Sequence, residues 1–356
     1  RDLIQFVADR PAHDRRYAMR DEKTRALGWR PRTSFEEGLK QTIAWFREHT
    51  GWWQPLTGGF VRILITGSTG LLGQALGTRL APLADVTGLS RHAPRVPTPI
   101  RHVVCDLLDV RRTQDVIRDA RPQVVIHAQA LSDVDRCERD PHLADASNVT
   151  TTANVVQAAR AVGAWLMSVS TDYVFDGAVG RPYDERDATN PVSVYGRSKL
   201  EGERVALGYP RSVVVRPSTL FGPGRMNFCD RVVTAANAGQ PVPAFVDQVT
   251  SPTYTVDLAE AIVQFAQRLL VCGGPDDLPS RIFHMANAGC CSRLEFAHRI
   301  VDLLGRPRDL VQPIRLADGR RAAPRPAFSA LTSRYLTEVI GRILRPWDEA
   351  LEAYLQ

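Results

Sequence analysis

From Val61 onward, the chain alternates short apolar runs with longer segments of helical pattern. The apolar runs are VRILITG, DVTGLS, HVVCDLL, QVVIHAQA, WLMSVST and SVVVRPS. Strands separated by crossover segments of this length form βαβ units, which build a mostly parallel sheet with helices on both faces. We therefore predict an α/β fold, with a Rossmann-type doubly wound parallel sheet over residues 59–216.

The pattern changes after Pro217, where Pro- and Gly-rich loops alternate with short helices. Two segments, TVDLAEAIVQFAQRLL and SRLEFAHRIVDLLG, are predicted to be helical. We predict a smaller C-terminal substrate-binding lobe over residues 217–356, with some elements returning to the Rossmann core. Substrate contacts in such folds usually lie in a lobe of this kind.

Residues 1–58 have a pattern of their own, which predicts a short and mostly helical N-terminal extension. Ser34 and Glu37 have the spacing of a capping box. Apolar residues then recur at helical spacing, at Phe35, Leu39, Ile43 and Phe46. One amphipathic helix cannot bury much surface alone, so we expect this segment to dock elsewhere or to remain partly loose.

Composition narrows the possible function classes. The formal net charge is +6, but the arginines are spread along the chain among Asp and Glu, which disfavours nucleic-acid binding. The six cysteines show neither C-x-x-C spacing nor nearby histidine pairs, so we expect neither a metal site nor a disulfide framework. Because no apolar run approaches the roughly 18 residues of a membrane helix and no leader is visible, we expect a cytoplasmic protein.

A glycine-rich loop follows the first predicted strand. Gly67, Gly70 and Gly73 form G-x-x-G-x-x-G at the start of a predicted helix. Glycines at this spacing allow a tight turn and a close approach of the backbone to a pyrophosphate, and the helix N-terminus attracts the anion. We predict a dinucleotide site that also uses Thr69, Leu71 and Leu72.

The end of the second predicted strand indicates which nicotinamide cofactor binds. NAD-preferring sites usually have Asp or Glu there, whereas this chain has Ser90 and Arg91. A hydroxyl and a guanidinium suit a 2′-phosphate, so we predict NADPH, with NADH possible; a surface arginine without a role is the alternative. Asp106, after the third strand, is predicted either to face the adenine or to cap a helix. Leu107 and Ala128 complete the predicted cofactor contacts.

The segment YGRSK, from Tyr195 to Lys199, predicts acid–base chemistry. Residues four apart on a helix share a face, so we expect the ammonium to lie near the phenol and to lower its pKa. Such a phenol can exchange a proton with a carbonyl oxygen near neutral pH. Lysine occurs only at positions 23, 40 and 199 in this arginine-rich chain, which argues against a functionless pair.

A third predicted member of the site comes from SVSTDYVFDG, residues 168–177, where a strand ends in small hydroxyl residues. Thr171 is placed to hydrogen-bond the same substrate oxygen as Tyr195. A cap at the strand end is the alternative interpretation.

Together these motifs resemble the extended short-chain dehydrogenase/reductases that act on nucleotide sugars. From about Val61 to Gln356 the chain resembles the dTDP-4-dehydrorhamnose reductase family, in ITGSTGLLGQAL, HAQALSDVDRCE, STDYVFDG, NPVSVYGRSKLEGE, SPTYTVDLAEAI and RPAFSALTSRYL. The resemblance implies that Thr171, Tyr195 and Lys199 are catalytic. It also implies that a nicotinamide cofactor reduces the 4-keto group of dTDP-4-dehydro-6-deoxy-L-mannose to give dTDP-L-rhamnose.

Four positions bear on this resemblance. Related 4,6-dehydratases have Asp-Glu after the threonine to eliminate water, whereas this chain has Asp172 and Tyr173, so simple reduction is expected. Family members that dimerise around magnesium have a glutamate where we align Thr78, so we predict no metal there. The family often has Trp where this chain has Thr219, which leaves the sugar open, so a reductase or epimerase of another nucleotide sugar is an alternative. A non-catalytic NADP-binding regulatory subunit of the same fold is a further alternative.

The N-terminal segments DRPAHDRRYAM and LGWRPRTSFEEGLKQTIAWF, with Trp52 and Trp53, resemble the end of dTDP-glucose 4,6-dehydratase. The resemblance implies that Arg10 and His13 would contact a nucleotide diphosphate in that enzyme. We interpret residues 1–58 as a dehydratase-like remnant, either from a bifunctional protein or from a gene-calling artefact. Other enzymes of dTDP-rhamnose synthesis are therefore possible partners.

Overall fold

The computed structural model describes residues 20–48 and 61–356. The chain divides into two compact units, Arg1–Gly59 and Phe60–Gln356. In the described part of the first unit, the helices are α1 (Glu22–Ala26) and α2 (Phe35–Glu48). Arg10, His13, Trp52 and Trp53 lie outside the described residues.

Helix α2 begins where the sequence predicted. The Ser34 hydroxyl accepts a hydrogen bond from the Glu37 backbone N–H at 3.2 Å, which is the expected N-cap contact. The four apolar positions that the sequence predicted are exposed, from 43% at Phe46 to 78% at Phe35.

The second unit is built on a seven-stranded sheet with the order β11-β6-β5-β4-β1-β2-β3. Every pairing in this sheet is parallel. Its strands are β1 (Val61–Thr66), β2 (Ala84–Ser90), β3 (Arg101–Val104), β4 (Val124–His127), β5 (Trp165–Val169), β6 (Ser212–Arg216) and β11 (Ile282–His284). The doubly wound parallel sheet is thus confirmed, and the six apolar runs of the sequence supply its first six strands.

Helices cover both faces of the sheet, as the crossovers predict. They are α3 (Leu71–Leu80), α4 (Val110–Ala120), α5 (Val134–Arg139), α6 (Pro141–Asp145), α7 (Thr151–Ala161), α8 (Val194–Leu207), α9 (Phe228–Asn237), α10 (Thr255–Val271), α11 (Arg293–Leu303), α12 (Leu336–Ile340) and α13 (Trp347–Leu355). One core joins α3 and α10 to one face of the sheet, and a second joins α4, α7 and α8 to the other. The two helices predicted after Pro217 correspond to α10 and α11.

The remaining strands of the described residues lie in the C-terminal part of the chain and form four two-stranded pairs. They are β7 (Leu220–Phe221), β8 (Val242–Phe245), β9 (Val249–Thr250), β10 (Thr253–Tyr254), β12 (Asn287–Ala288), β13 (Cys291–Ser292), β14 (Val311–Ile314) and β15 (Leu344–Pro346). A third apolar core, around Phe221 and Phe296, holds α9, α11 and α13 to β8. The strand β11, which pairs with β6, returns to the main sheet from this region. Within the described residues, no helix is long and apolar enough to cross a membrane.

Candidate active site

The predicted functional residues meet at the carboxyl edge of the main sheet. Strands β1, β2 and β3 run to one side of the sheet and β4, β5 and β6 to the other, so the strand order reverses between β1 and β4. A crevice forms outside the strand ends at such a reversal, and ligands of open α/β sheets bind there. The loops that follow β1, β2, β3, β4 and β5 all begin at this edge.

Close backbone packing explains two glycines of the loop after β1. Gly67 has a φ of 70°, and a Cβ at this position would lie 2.8 Å from the backbone N and Cα of Gln129. A Cβ at Gly73 would overlap the Gly67 carbonyl oxygen and lie 2.7 Å from the Ser68 Cα. Side chains at either position would push this loop away from β4 or from α3.

The start of α3 provides the donors expected for a pyrophosphate. Gly70 is the N-cap, and no side chain caps the first turn. The backbone N–H groups of that turn therefore remain available to an anion, in the part of the chain that the structure describes. Leu72 itself is buried in the sheet core, so only its backbone faces this turn, whereas Thr69 and Leu71 are partly exposed. These features fit the diphosphate of a dinucleotide.

A cavity beside this loop brings together most of the predicted adenosine contacts. It is lined by Gly67, Leu89, Ser90, Arg91, Cys105, Asp106, Leu107, Leu108, Gln129, Ser147 and Thr151. Ala128 lies next to this lining, directly after β4, and its N–H donates to the Thr66 carbonyl at 3.2 Å. The loops after β2 and β3 thus converge on one concave surface.

Within this cavity, Ser90 and Arg91 differ in the hydrogen bonds that they can make to a ligand. The Ser90 hydroxyl donates to the His92 carbonyl at 2.7 Å and lies 2.8 Å from His102 Nε2. Since its single hydrogen is used there, Ser90 can only accept further hydrogen bonds. Arg91 is exposed and forms no ion pair with any described residue. Arg91 is therefore the group that can meet a phosphate.

Asp106 is not a helix cap. Its Oδ1 accepts from the Leu108 N–H at 3.0 Å, within its own turn. The cap of α4 is Asp109, which accepts from the Arg112 N–H at 2.9 Å. The structure thus excludes the capping role, and Asp106 lies in the lining of the cavity.

Tyr195, Lys199 and Thr171 lie at the carboxyl end of β5. Ser193 caps α8 by accepting from the Gly196 N–H at 3.1 Å, so Tyr195 falls in the first turn and Lys199 one turn later. All three side chains are buried, with 9%, 6% and 6% of the surface of Tyr195, Lys199 and Thr171 exposed. The Lys199 ammonium donates to the Val169 carbonyl at the end of β5, at 2.8 Å.

Burial controls the charge of both helix residues. It lowers the pKa of Lys199 to about 8, although Glu203 acts in the opposite direction. Burial also raises the pKa of Tyr195 well above its usual range, against a smaller lowering by the Thr171 hydroxyl. The predicted lowering of the Tyr195 pKa is therefore wrong, because desolvation of the phenolate outweighs the other contributions. The phenol is protonated at neutral pH.

The Thr171 hydroxyl makes two hydrogen bonds, of which one is the cap that the sequence offered as the alternative and the other was not predicted. It donates to Asp172 Oδ1 at 3.0 Å and accepts from the Tyr173 N–H at 3.2 Å. The Tyr173 ring packs edge-to-face on Tyr195, with 5.7 Å between ring centroids. Gln248, on the loop after β8, donates to the Tyr173 hydroxyl at 3.1 Å. In the sequence, Asp172 and Tyr173 stand out only as the positions that differ between enzyme families.

His127, at the end of β4, is a neutral residue of the core. Its Nδ1 lies 2.8 Å from the Thr66 hydroxyl and its Nε2 lies 3.1 Å from the Thr152 hydroxyl. Burial, with a smaller contribution from Lys199, lowers its pKa to about 3. Both ring nitrogens are satisfied, so His127 serves to connect β1 to α7 beneath the crevice.

Arg293 was also missed, although its partner Thr219 was singled out in the sequence. Arg293 Nη2 donates to the Thr219 hydroxyl at 3.0 Å, and its guanidinium lies 5.1 Å from the centre of the Phe228 ring. It forms no ion pair with a carboxylate among the described residues. Its positive charge acts to lower the pKa of Tyr173 and of Asp172, against the larger effect of burial. A partly buried cation thus lies near the reacting groups on the side of the C-terminal lobe.

Comparisons with known proteins agree with this geometry. A family model described as the RmlD substrate binding domain matches residues 61–356. The dTDP-4-dehydrorhamnose reductase of Mycolicibacterium smegmatis is 36% identical over 297 residues, covering 82% of this chain and 84% of that protein. The spore coat polysaccharide biosynthesis protein SpsK of Bacillus subtilis is 31% identical over 297 residues, covering 83% of this chain and 97% of that protein.

A solved structure extends the match to three dimensions. The crystal structure of dTDP-4-dehydrorhamnose reductase from Bacillus anthracis, in complex with NADP, superimposes with a TM-score of 0.74 at 29% identity, and the match covers 83% of this chain and 99% of that chain. The family model covers the glycine loop, the Thr-Tyr-Lys set and the C-terminal lobe together. This chain therefore belongs to the dTDP-4-dehydrorhamnose reductase family.

Proposed function

We propose that this protein reduces the 4-keto group of dTDP-4-dehydro-6-deoxy-L-mannose to give dTDP-L-rhamnose, with NADPH as the reductant. The observation that supports it most is the buried group of Thr171, Tyr195 and Lys199 at the crevice of a sheet that also has a fitting dinucleotide loop. The names of the relatives supply the sugar.

The residues of the crevice divide the binding of NADPH among them. The loop from Gly67 to Gly73 and the uncapped start of α3 hold the diphosphate, and Arg91 meets the 2′-phosphate. Asp106 and Leu107 flank the adenosine. Lys199 binds the nicotinamide-side ribose. When bound, NADPH supplies the hydride.

Tyr195 donates the proton that the reduced carbonyl oxygen needs. Because its pKa is raised, the phenol holds its proton at neutral pH until negative charge develops on the substrate oxygen. Burial of the phenol and of Lys199 keeps water away from this transfer. Thr171, which lies beside Tyr195, fixes the position of the phenol relative to the substrate carbonyl.

Arg293 is the group that we assign to the substrate diphosphate. It is a guanidinium without a carboxylate partner among the described residues, and it is held in place by Thr219 and the Phe228 ring. Guanidinium groups in this state bind phosphate oxygens strongly, since both partners are charged. An anion bound there would bring the attached sugar toward Tyr195.

Tyr173 supports reduction over elimination of water. Elimination needs a general base at this position, whereas burial and the nearby Asp172 charge raise the pKa of Tyr173. A neutral phenol cannot serve as that base. The full Thr-Tyr-Lys set likewise supports an enzyme over a regulatory subunit.

NADPH oxidation with defined keto sugars tests the proposal. We expect turnover with dTDP-4-dehydro-6-deoxy-L-mannose, and dTDP-L-rhamnose as the product. The matched control is its D-gluco epimer at C3 and C5, which should react much more slowly. Faster turnover of the control would assign the enzyme to another nucleotide sugar, and NADPH binding without any turnover would favour the regulatory subunit.

The same proposal includes the cellular compartment of the enzyme and its partners. All six cysteines are free thiols in the structure, and five of them are buried, which suits a reducing compartment such as the cytoplasm. The dehydratase resemblance of residues 1–58 suggests other enzymes of dTDP-rhamnose synthesis as partners.

A further inference from the structure

Asp172 is a buried carboxyl group that the proposed chemistry leaves unused. It follows Thr171 directly, and only 2% of its surface is exposed. Its backbone N–H donates to the Pro217 carbonyl at 3.0 Å, so it lies where the loop after β5 meets the loop after β6. A buried carboxyl group is costly unless it is hydrogen-bonded.

Three hydroxyl groups from three separate segments donate to this carboxyl group. Thr171 donates to Oδ1 at 3.0 Å. Ser218, which follows β6, donates to Oδ2 at 2.8 Å, and Ser329, which precedes α12, donates to the same oxygen at 2.6 Å. Ser218 and Ser329 are themselves 1% and 0% exposed. Asp172 is thus the centre of a closed hydrogen-bond network.

The two serines are fixed independently of Asp172. The Ser329 N–H donates to the Val249 carbonyl at 2.9 Å, which ties it to β9. The Ser218 hydroxyl also accepts from the Ser251 N–H at 3.3 Å. Two anchored segments of the C-terminal lobe therefore hold one carboxyl oxygen, and Thr171 is attached to the other.

We propose that Asp172 is a positioning residue: it holds the Thr171 hydroxyl beside Tyr195 and ties that hydroxyl to the C-terminal lobe through Ser218 and Ser329. The role deepens the proposed function and rests on it. Without Asp172, the Thr171 hydroxyl loses its acceptor, and only the 3.2 Å hydrogen bond from the Tyr173 N–H still restrains its χ1 rotation. The phenol then loses a fixed neighbour, and the distance between Tyr195 and the substrate carbonyl is no longer set.

Electrostatics supports the same link. The groups that face Asp172 are the three hydroxyls and the Arg293 guanidinium, and they oppose the rise in its pKa caused by burial. The groups that face the Tyr195 phenol are Thr171, Asp172, Tyr173 and Cys137. Asp172 is therefore close enough to act on the phenol through both Thr171 and its own charge.

A double-mutant cycle between Asp172 and Thr171 tests this role. We expect Asp172→Ala to lower kcat about 10- to 100-fold, with NADPH affinity and KM changed by no more than about twofold, since misplacement of reacting groups acts on kcat. In a Thr171→Val background the same change should lower kcat by no more than about threefold further, because the hydroxyl it positions is already absent. Ser329→Ala, which leaves Asp172 in place, should cost about two- to fivefold in kcat.

Asp176 offers a matched control on the same loop. It also accepts three hydrogen bonds, from the Tyr183 hydroxyl, the Ala178 N–H and the Asn190 amide, but it touches neither Thr171 nor Tyr195. Asp176→Ala should lower Tm while leaving kcat within about twofold of the parent. Independent, multiplicative losses from Asp172→Ala and Thr171→Val would overturn the role, and so would equal kcat losses from Asp172→Ala and Asp176→Ala at matched Tm. An inactive parent enzyme would instead contradict the proposed function, and this role with it.

Discussion

At the scale of single residues, burial sets the charge of each group in the site. It keeps His127 neutral, keeps the Tyr195 phenol protonated and brings the pKa of Lys199 down to about 8. The sequence identified Tyr195 and Lys199 from their spacing, from the scarcity of lysine and from the family resemblance. It could not give the direction of the phenol's pKa shift, because that shift depends on how much surrounding protein excludes water.

Replacing Tyr195 with phenylalanine should stop turnover while NADPH still binds. Only the proton donor is removed, and loss of general acid catalysis costs about 10²- to 10⁴-fold in rate. The measurement is kcat together with the NADPH dissociation constant from fluorescence titration. Undiminished turnover in this variant would remove Tyr195 from the chemistry.

The shifted pKa of Lys199 predicts a dependence on pH. The ammonium is present below about pH 8 and is lost as the pH rises through that value, so kcat/KM for NADPH should fall on the alkaline side. A Lys199→Met variant lacks the ammonium at every pH, so its kcat/KM should be low and flat over the same range. An alkaline limb that persists unchanged in this variant would belong to another group.

Arg91 should set the preference for NADPH over NADH. Hydrogen bonds to a charged group contribute about 1.5–3 kcal/mol, so Arg91→Ala should lower kcat/KM for NADPH by about 10- to 100-fold and leave NADH nearly unchanged. Arg95→Ala, an exposed arginine on the same loop, is the control. A parent enzyme that prefers NADH would contradict the cofactor assignment.

At the scale of elements, the apolar runs predicted the main sheet well. Five of its first six strands, all except β3, are largely buried, so their sequences are nearly continuous runs of apolar residues. The seventh strand, Ile282–His284, has three residues and no comparable run. The Asp172 network joins residues 46 and 157 positions apart, and no local pattern indicates such contacts.

The packing of α3 against the glycine loop predicts opposite outcomes for two glycines of one helix. Gly73→Ala would force a Cβ into the Gly67 backbone, so we expect a lower Tm and an NADPH affinity reduced at least tenfold, since overpacking costs about 1–3 kcal/mol. A Cβ at Gly77 would contact only the Ile100 side chain, at 3.2 Å from its end, so Gly77→Ala should keep the Tm and the NADPH affinity of the parent. Equal NADPH affinity in the two variants would argue against close packing at the loop.

At the scale of the whole molecule, the reductase family match begins at residue 61, and the first unit ends at Gly59. Every residue that we assign to cofactor or chemistry lies at or beyond Gly67. We therefore expect a chain that starts at Gly59 to keep kcat and KM. The full chain should show no dehydratase activity on dTDP-glucose. Loss of most reductase activity on trimming would make residues 1–58 part of the working enzyme.

Isotope transfer tests the central claim most directly. The enzyme is supplied with NADPH that carries deuterium at C4 of the nicotinamide, together with dTDP-4-dehydro-6-deoxy-L-mannose, and the product is analysed by NMR. We expect dTDP-L-rhamnose with deuterium at C4 of the sugar when the labelled position is the one that is transferred, and unlabelled product with the opposite C4 epimer of the cofactor. A product without deuterium from either cofactor epimer, or a sugar other than rhamnose, would contradict the account.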